Sequence, residues 1–227
     1  MTRFHSVAFL MLVWCTALAP HSYAQSAAKA QVQKLLEQSA KEFLAAIEGV
    51  NDEQWKFKGS GMRHSIGEEA EHVAAAEQDL QRVILRALKA PADVARAKEL
   101  AGKEATIRKL MLEPEKGAEN FRPLGRLNSK PEVLEYFGMA HSKLLQLLAG
   151  ATELDVHIYK HPSKDYGDMT ALQWFYYVAY HKLRHCKQIE AIKASQEYPG
   201  RVRQASLRLL GDPTGPFAIG RQRVLHP

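Results

Sequence analysis

The chain has 227 residues, of which 46% are apolar and 25% are charged, and its formal net charge is +6 at pH 7. This composition is that of an ordinary globular protein and excludes a disordered, collagen-like or fibrous chain. Two cysteines are too few for a disulfide-rich miniprotein or a multi-cysteine zinc module, so an apolar core must supply the stability.

The first 24 residues have the pattern of a secretory signal peptide. Arg3 precedes an apolar run from Val7 to Ala19, and the small residues Ser22 and Ala24 then mark a cleavage site. The run is thirteen residues long, whereas a membrane-spanning helix takes about 20 residues. Cleavage is therefore favoured over the alternative of a retained anchor. We expect export to the periplasm or beyond, with cleavage near Ala24.

Two helices are predicted in the first part of the mature chain. Apolar residues recur at helical spacing over 31–47, and Gly49 follows as a stop signal. Ser65 and Glu68 have the spacing of a capping box, which predicts a second helix from there to about Leu88.

The middle of the chain is less regular. Residues 92–112 show a looser helical pattern and predict an extra helical arm. The stretch 113–131 contains three prolines and two glycines and predicts a long surface connection. Ser129 and Glu132 then repeat the capping signal, and a helix is expected from there to Gly150.

Thr170 is expected to start the last long helix, which runs to about Ser195. Four long helices, a long crossover and no alternating strand of useful length predict an all-α protein built as a four-helix bundle. We assign residues 25–196 to this domain. Residues 197–227 form a basic C-terminal tail, expected to be flexible, since residues 200–227 hold five arginines and one acid.

Several histidines have a spacing that suits metal binding. His181 and His185 are four residues apart, so they project from the same helix face. His72, on the second predicted helix, is the best candidate for a third ligand, and His141 is its rival. Three neutral imidazoles suit zinc, nickel, copper or iron(II) and leave positions open for water or substrate.

Three further residues with reactive side chains, Glu71, Glu77 and Cys186, lie near these histidines in sequence. Glu71 and Glu77 are candidates for carboxylates that hydrogen-bond to the ligands or act as a general base. Cys186 follows His185 directly, so it points about 100° away around the helix. A buried thiol is therefore favoured over a fourth ligand.

Several motifs of the chain are typical of one known family. They are Glu53-Gln54-Trp55, Arg63-His64-Ser65-Ile66-Gly67-Glu68, Glu71-His72-Val73, His161-Pro162, Thr170-Ala171-Leu172-Gln173-Trp174 and His181-Lys182-Leu183-Arg184-His185. With these motifs the sequence resembles the DinB-like superfamily of four-helix-bundle metalloenzymes over about residues 31–195. The resemblance implies that His72, His181 and His185 correspond to the three metal-binding histidines of that family. Many relatives carry tryptophan where this chain has His64. Relatives include thiol-dependent transferases and isomerases, proteins proposed to be metal hydrolases and proteins without an assigned activity.

The expected function is that of an exported metal-dependent hydrolase or thiol transferase, with a divalent zinc, nickel or iron ion and a small-molecule substrate. The alternative is a non-catalytic periplasmic bundle that binds a metal or a small ligand. Nucleic-acid binding is not expected, because only the arginine-bearing tail favours it and no recognition helix is present. A homodimer through exposed helix faces is expected, without a stable membrane anchor.

Overall fold

The structure, a computed structural model, describes residues 19–113 and 123–200, and describes side chains from residue 26 onward. Most of the predicted signal peptide and residues 201–227 of the predicted tail lie outside the described residues. The described elements are α1 (Ala19–Ile47), α2 (Asp52–Lys56), α3 (Ile66–Lys89), α4 (Val94–Glu99), α5 (Glu104–Leu112), α6 (Lys130–Gly150), β1 (Ile158–Lys160), β2 (Asp168–Thr170) and α7 (Ala171–Ala194). The predicted all-α class is confirmed.

Four long helices form the bundle. Helix α7 packs along both α1 and α3, while α6 packs along α3 and, less extensively, along α1. Residues 32–36 of α1 and the first half of α7 share an apolar cluster with the second halves of α3 and α6, whereas residues 40–47 of α1 belong to a second cluster with the first halves of α3 and α6. The pair α1 and α7 therefore runs opposite to the pair α3 and α6. Because α3 and α6 run in the same direction, their connection must cross the length of the bundle, which accounts for the long crossover.

The helix starts follow the predicted capping signals. At four starts a side chain accepts a hydrogen bond from the backbone N–H three residues later, and the side chain at that later position accepts one from the cap in return. This capping box opens α3 at Ser65, α6 at Ser129 and α7 at Thr170, and it also opens the short α2 at Asn51. Four helix starts are thus determined by side chains within three residues of each cap.

Helix α1 begins earlier than its apolar pattern predicts. The pattern begins at Gln31, but the helix begins at Ala19. The added stretch, 19–30, is rich in alanine, which has the highest helix propensity, and it carries no apolar stripe that periodicity could detect. In the described part of the chain, no helix is both long and apolar enough to span a membrane.

The helical arm is two helices rather than one. Helices α4 and α5 are separated at residues 100–103, where Gly102 has a φ of +79°. Helix α5 packs along α7 and buries Ile107 and Met111 completely. The side chain of Gln173 donates a hydrogen bond to the carbonyl of Leu100 over 2.7 Å, and this ties the break to the start of α7.

A short hairpin that the sequence did not predict leads into α7. Strands β1 and β2 pair in antiparallel register, with Ile158 opposite Thr170, and Gly167 closes the turn with a φ of +55°. Each strand is only three residues long, which is too short for an alternating pattern to be recognised. The indole N–H of Trp174 donates to the carbonyl of Tyr159 over 3.1 Å and holds the hairpin to the helix.

The predicted tail begins at residue 197, and its first three residues contact the bundle. Tyr198 is buried and meets Phe57 edge to face, with ring centroids 5.6 Å apart. The amide of Gln54 donates to the carbonyl of Pro199 over 3.0 Å. The packed part of the chain therefore extends at least to Pro199.

A layer of buried polar residues divides the core. One apolar cluster includes Leu36, Leu144 and Phe175, and the other includes Phe43 and Phe137. Between the two clusters lie Ser39 on α1, Glu77 and Gln81 on α3, and His181, Lys182 and His185 on α7. Buried polar groups are costly unless they are hydrogen-bonded, so this layer is where a functional site is expected.

Candidate metal centre

Three histidine side chains from two helices meet inside the bundle. The Nε2 atom of His181 lies 3.2 Å from that of His72 and 3.2 Å from that of His185. One nitrogen from each ring lies within 4.8 Å of the other two. His181 and His185 are buried, and His72 is half-buried. The three histidines that the sequence selected therefore lie together, with His181 and His185 in the polar layer and His72 at its edge.

Local structure explains why the rings converge. The capping box at Thr170 begins α7, and residues four apart on that helix project from one face, which places His181 and His185 one turn apart. His72 lies in the second turn of α3, which packs along α7. Two segments separated by 109 residues thus contribute to one point.

Glu69 fixes the orientation of His185. Its Oε2 atom lies 2.6 Å from Nδ1 of His185, and its Oε1 atom lies 3.2 Å from Nδ1 of His64. An Nδ1–H group that donates to a carboxylate leaves the Nε2 lone pair of the same ring facing the other two histidines. Burial raises the pKa of the Glu69 carboxyl to about 7, and the neighbouring His64 opposes that rise.

The environment keeps the three imidazoles neutral at pH 7. Burial, together with the charges of His64 and Arg184, lowers the pKa of His72 from 6.5 to about 4. Burial also lowers the pKa of His181 and of His185 well below 6.5. The neutral form is the one that binds metals, so these rings are ready to act as ligands without losing a proton first.

The spacing of the nitrogens fits a shared cation. Zinc bonds imidazole nitrogen at about 2.1 Å, so two nitrogens on one tetrahedral ion lie about 3.4 Å apart, close to the observed separations of 3.2 Å. Hydrogen bonds among the three rings explain these short distances less well than a shared cation does. A single proton on Nε2 of His181 can point at His72 or at His185, but not at both. A cation would face a lone pair from each ring. The donor set of this centre therefore fits a divalent transition metal.

The Glu71 carboxylate binds the backbone of a loop and not the side chain of a histidine. It accepts hydrogen bonds from the backbone N–H groups of Gly125, Arg126 and Leu127, over 3.1, 2.6 and 3.1 Å. Glu71 follows Glu69 on α3 by two residues, which turns it about 160° away around the helix. Its described contacts anchor the connection before α6, and this differs from the expectation that it supports the histidines.

The contacts of Glu77 also differ from that expectation. Its Oε2 atom lies 2.5 Å from Nζ of Lys182, and its Oε1 atom lies 2.6 Å from Nδ1 of His141. Phe137 stacks on His141, with ring centroids 5.5 Å apart. Both oxygens of Glu77 are thus occupied by a charge network beside the centre. His141, the rival ligand, belongs to this network and lies outside the three-histidine cluster.

Two residues of the site were missed by sequence reasoning. Glu69 lies three residues before His72, and this helical spacing could have indicated a carboxylate on the face that carries the ligand. Arg184 lies between His181 and His185 in sequence and is buried. A single arginine on a long helix is usually exposed, so its burial had no sequence signal. Cys186, in contrast, is the buried thiol that was predicted, and burial raises its pKa to about 12.

Comparison with known proteins gives one match. The family model described as the DinB superfamily matches residues 35–189, which include all three histidines of the centre. No curated protein and no solved structure matches the chain significantly.

Proposed function

This chain belongs to the DinB superfamily, and we propose that His72, His181 and His185 bind one divalent zinc, nickel or iron ion in a metal-dependent hydrolase or transferase. The observation that carries the proposal is the convergence of three neutral imidazoles, one of them oriented by a buried carboxylate. Three protein ligands leave coordination positions for a small-molecule substrate, as catalytic sites do.

The chain's own residues give the centre its shape. Glu69 accepts the Nδ1 proton of His185 and so keeps Nε2 of that ring directed at the other histidines. His181 is held inside the bundle by α7, and His72 closes the site from α3. A bound ion supplies Lewis acidity, which lowers the pKa of a water or thiol and produces a nucleophile near neutral pH.

One observation favours the alternative of a non-catalytic binding protein. Both carboxylate oxygens of Glu69 contact histidines, and the oxygens of Glu71 and Glu77 are occupied elsewhere. A hydrolase that activates water usually places a general base within hydrogen-bond reach of it. If none of these carboxylates is released, the bundle holds a metal or a small ligand without turning it over.

Metal content tests the proposal directly. The protein should be purified without a histidine tag and its metal measured by elemental analysis, alongside His72→Ala, His181→Ala and the control His141→Ala. We expect about one ion per chain in the unmodified protein and in the His141 variant, and loss of the ion in the other two. Unchanged metal content in His72→Ala or His181→Ala would remove that residue from the site.

Activity separates the two functions. Metal-loaded protein should be tested against a panel of esters, amides and thiol-conjugation substrates, with His181→Ala as the inactive control. Turnover that disappears in this variant supports the enzyme. Stoichiometric metal without turnover of any member of the panel supports the binding protein.

We also propose that the protein is exported and has no stable membrane anchor. The support is the charged start at Arg3, the thirteen-residue apolar run and the small residues before Gln25. Protein recovered from the periplasm or medium of a bacterial host should begin near Gln25, as read by N-terminal sequencing. An intact N terminus in the membrane fraction would contradict this. The expected homodimer is tested on the same sample by light scattering.

A further inference from the structure

Arg184 is a buried cation with an unpaired edge. Its relative exposure is 7%, and neither its Nε nor its Nη2 atom has a hydrogen-bond partner among the residues that the structure describes. These two N–H groups lie on the same edge of the planar guanidinium. That edge is the one to which a carboxylate binds side-on through two parallel hydrogen bonds.

An unpaired edge of this kind is unusual in a folded protein. Buried polar groups are nearly always hydrogen-bonded, and a buried charge without a partner is strongly unfavourable. Lys182, the buried cation two residues before Arg184, follows the rule, because it is neutralised by Glu77. Arg184 has no matching carboxylate within salt-bridge distance among the described side chains. The described chain thus supplies no acceptor to this edge, and Gln188, four residues later on α7, likewise has an unpaired Oε1 atom.

Arg184 is placed beside the three-histidine centre. On α7 it lies three residues after His181 and directly before His185. Positions three apart on a helix are neighbours, with Cβ atoms about 5–6 Å apart. The positive charge of Arg184 acts on all three histidines. Burial is the largest cause that lowers the pKa of His72, His181 and His185, and the charge of Arg184 is a further one. An anion on Arg184 would thus lie near the three histidines.

We propose that Arg184 is the anion-binding residue of this site, and that the protein's small-molecule substrate or ligand carries a carboxylate that binds side-on to Nε and Nη2. The carboxylate-bearing substrate rests on the proposed function, since it names the substrate class of the same centre. The anion site at Arg184 does not depend on a bound metal. A carboxylate held there would place the rest of a small molecule against the histidines.

The experiment uses acetate as the probe and the chelator-treated full chain as the protein. Thermal unfolding is followed with increasing sodium acetate and, as the reference, with sodium chloride at the same ionic strength. The variants are Arg184→Met, which removes the cation but keeps an apolar side chain, and Lys187→Met, which removes an exposed cation from the same helix. We expect acetate to raise the unfolding temperature of the unmodified protein and of Lys187→Met, and acetate affinity to fall at least tenfold in Arg184→Met.

A second readout distinguishes binding from a structural role. If Arg184 is unpaired in the ligand-free protein, Arg184→Met should unfold at the same or a higher temperature without acetate, because the variant no longer buries a lone charge. The proposal is overturned if acetate acts equally on both proteins, or if Arg184→Met unfolds at a clearly lower temperature, since the latter would mean that the chain itself pairs this cation.

The same samples keep the two proposals separate. Acetate binding that requires Arg184 in a protein that takes up no metal would sink the metal proposal and retain the anion site. If metal uptake requires His72 but acetate binding does not depend on Arg184, the metal proposal is retained and the anion site is ruled out. When both hold, acetate should bind more tightly to the metal-loaded protein than to the chelated one, because the ion adds a second positive charge beside the site.

Discussion

Replacing Glu77 by glutamine should destabilise the protein far more than its small change in shape implies. The carboxylate lies between Lys182 and His141, at 2.5 and 2.6 Å. A glutamine has the same size and can still accept from Lys182. What the substitution removes is the negative charge that neutralises a buried ammonium group.

The magnitude follows from burial. The side chains of Glu77 and Lys182 are each 1% exposed, so water cannot replace the lost charge. Removing one partner of a buried pair costs about 3–5 kcal/mol. An upper limit comes from Lys182 losing its proton instead, because bringing a lysine pKa of about 10.4 down to pH 7 costs about 5 kcal/mol at about 1.4 kcal/mol per pH unit. We therefore expect the free energy of unfolding to fall by about 3–5 kcal/mol.

Urea unfolding at pH 7 measures the effect in a double-mutant cycle of Glu77→Gln, Lys182→Met and the two combined. The combined variant should be more stable than Glu77→Gln alone, because it buries no lone charge. Glu190→Gln, which removes an exposed carboxylate on α7, is the control and should change stability by less than about 0.5 kcal/mol. A cost below about 1 kcal/mol for Glu77→Gln, or simple additivity in the cycle, would refute the reasoning.

The same pair predicts a pH dependence with a definite sign. The pKa of Glu77 is lowered from 4.5, because the charge of Lys182 and the hydrogen bond from His141 outweigh the effect of burial. A lowered pKa means that the contribution to stability is complete above pH 4.5 and is lost as the pH falls through the lower, folded value. The stability difference between the unmodified protein and Glu77→Gln should thus be constant from pH 7 to about pH 5 and shrink below pH 4.5.

The orientation of His185 in the candidate centre and the tight packing at the start of α3 give two further predictions. Glu69→Gln should weaken metal binding about 10- to 100-fold, because the His185 ring loses the carboxylate that orients it. A competition titration with a chromogenic chelator measures the affinity, and the control Glu190→Gln should bind the metal as tightly as the unmodified protein. Equal affinity in the two variants would argue against the role of Glu69. Gly67→Ala should destabilise the fold by about 1–3 kcal/mol in urea unfolding, because a Cβ there would lie 2.5 Å from Nε1 of Trp55. Gly138→Ala, in the middle of α6 with no atom within 4 Å of its added Cβ, should instead stabilise the helix by up to about 1 kcal/mol. Equal stability of the two alanine variants would show that the contact at Gly67 is relaxed in solution.

Much of the fold was predictable because helix starts are local. Ser65, Ser129 and Thr170 each meet a partner three residues away, so their capping boxes could be recognised before any tertiary contact was known. The break between α4 and α5 was not predicted, because residues 92–112 keep a weak helical pattern throughout. Gln173, distant in sequence, binds the carbonyl of Leu100 at that break.

The candidate site was also predictable only in part from the sequence. The spacing of His181 and His185 on one helix determined that they share a face, and the resemblance to a known family selected His72. The sequence could not rank Glu69, Glu71 and Glu77, because all three lie on one helix and only the position of the neighbouring helices decides which carboxylate meets which partner. The structure places Glu69 against His185, Glu71 under a loop and Glu77 against Lys182.

The sequence thus predicted the helical class and several helix starts from periodicity and capping, and it selected the three clustered histidines from helical spacing and the family resemblance. Tertiary structure decided how the polar layer is paired, because a buried charge is stable only beside a partner and that partner comes from another helix. It paired Lys182 with Glu77 and His185 with Glu69. It also left one edge of Arg184 without a partner in the described chain, which no pattern in the sequence could have indicated.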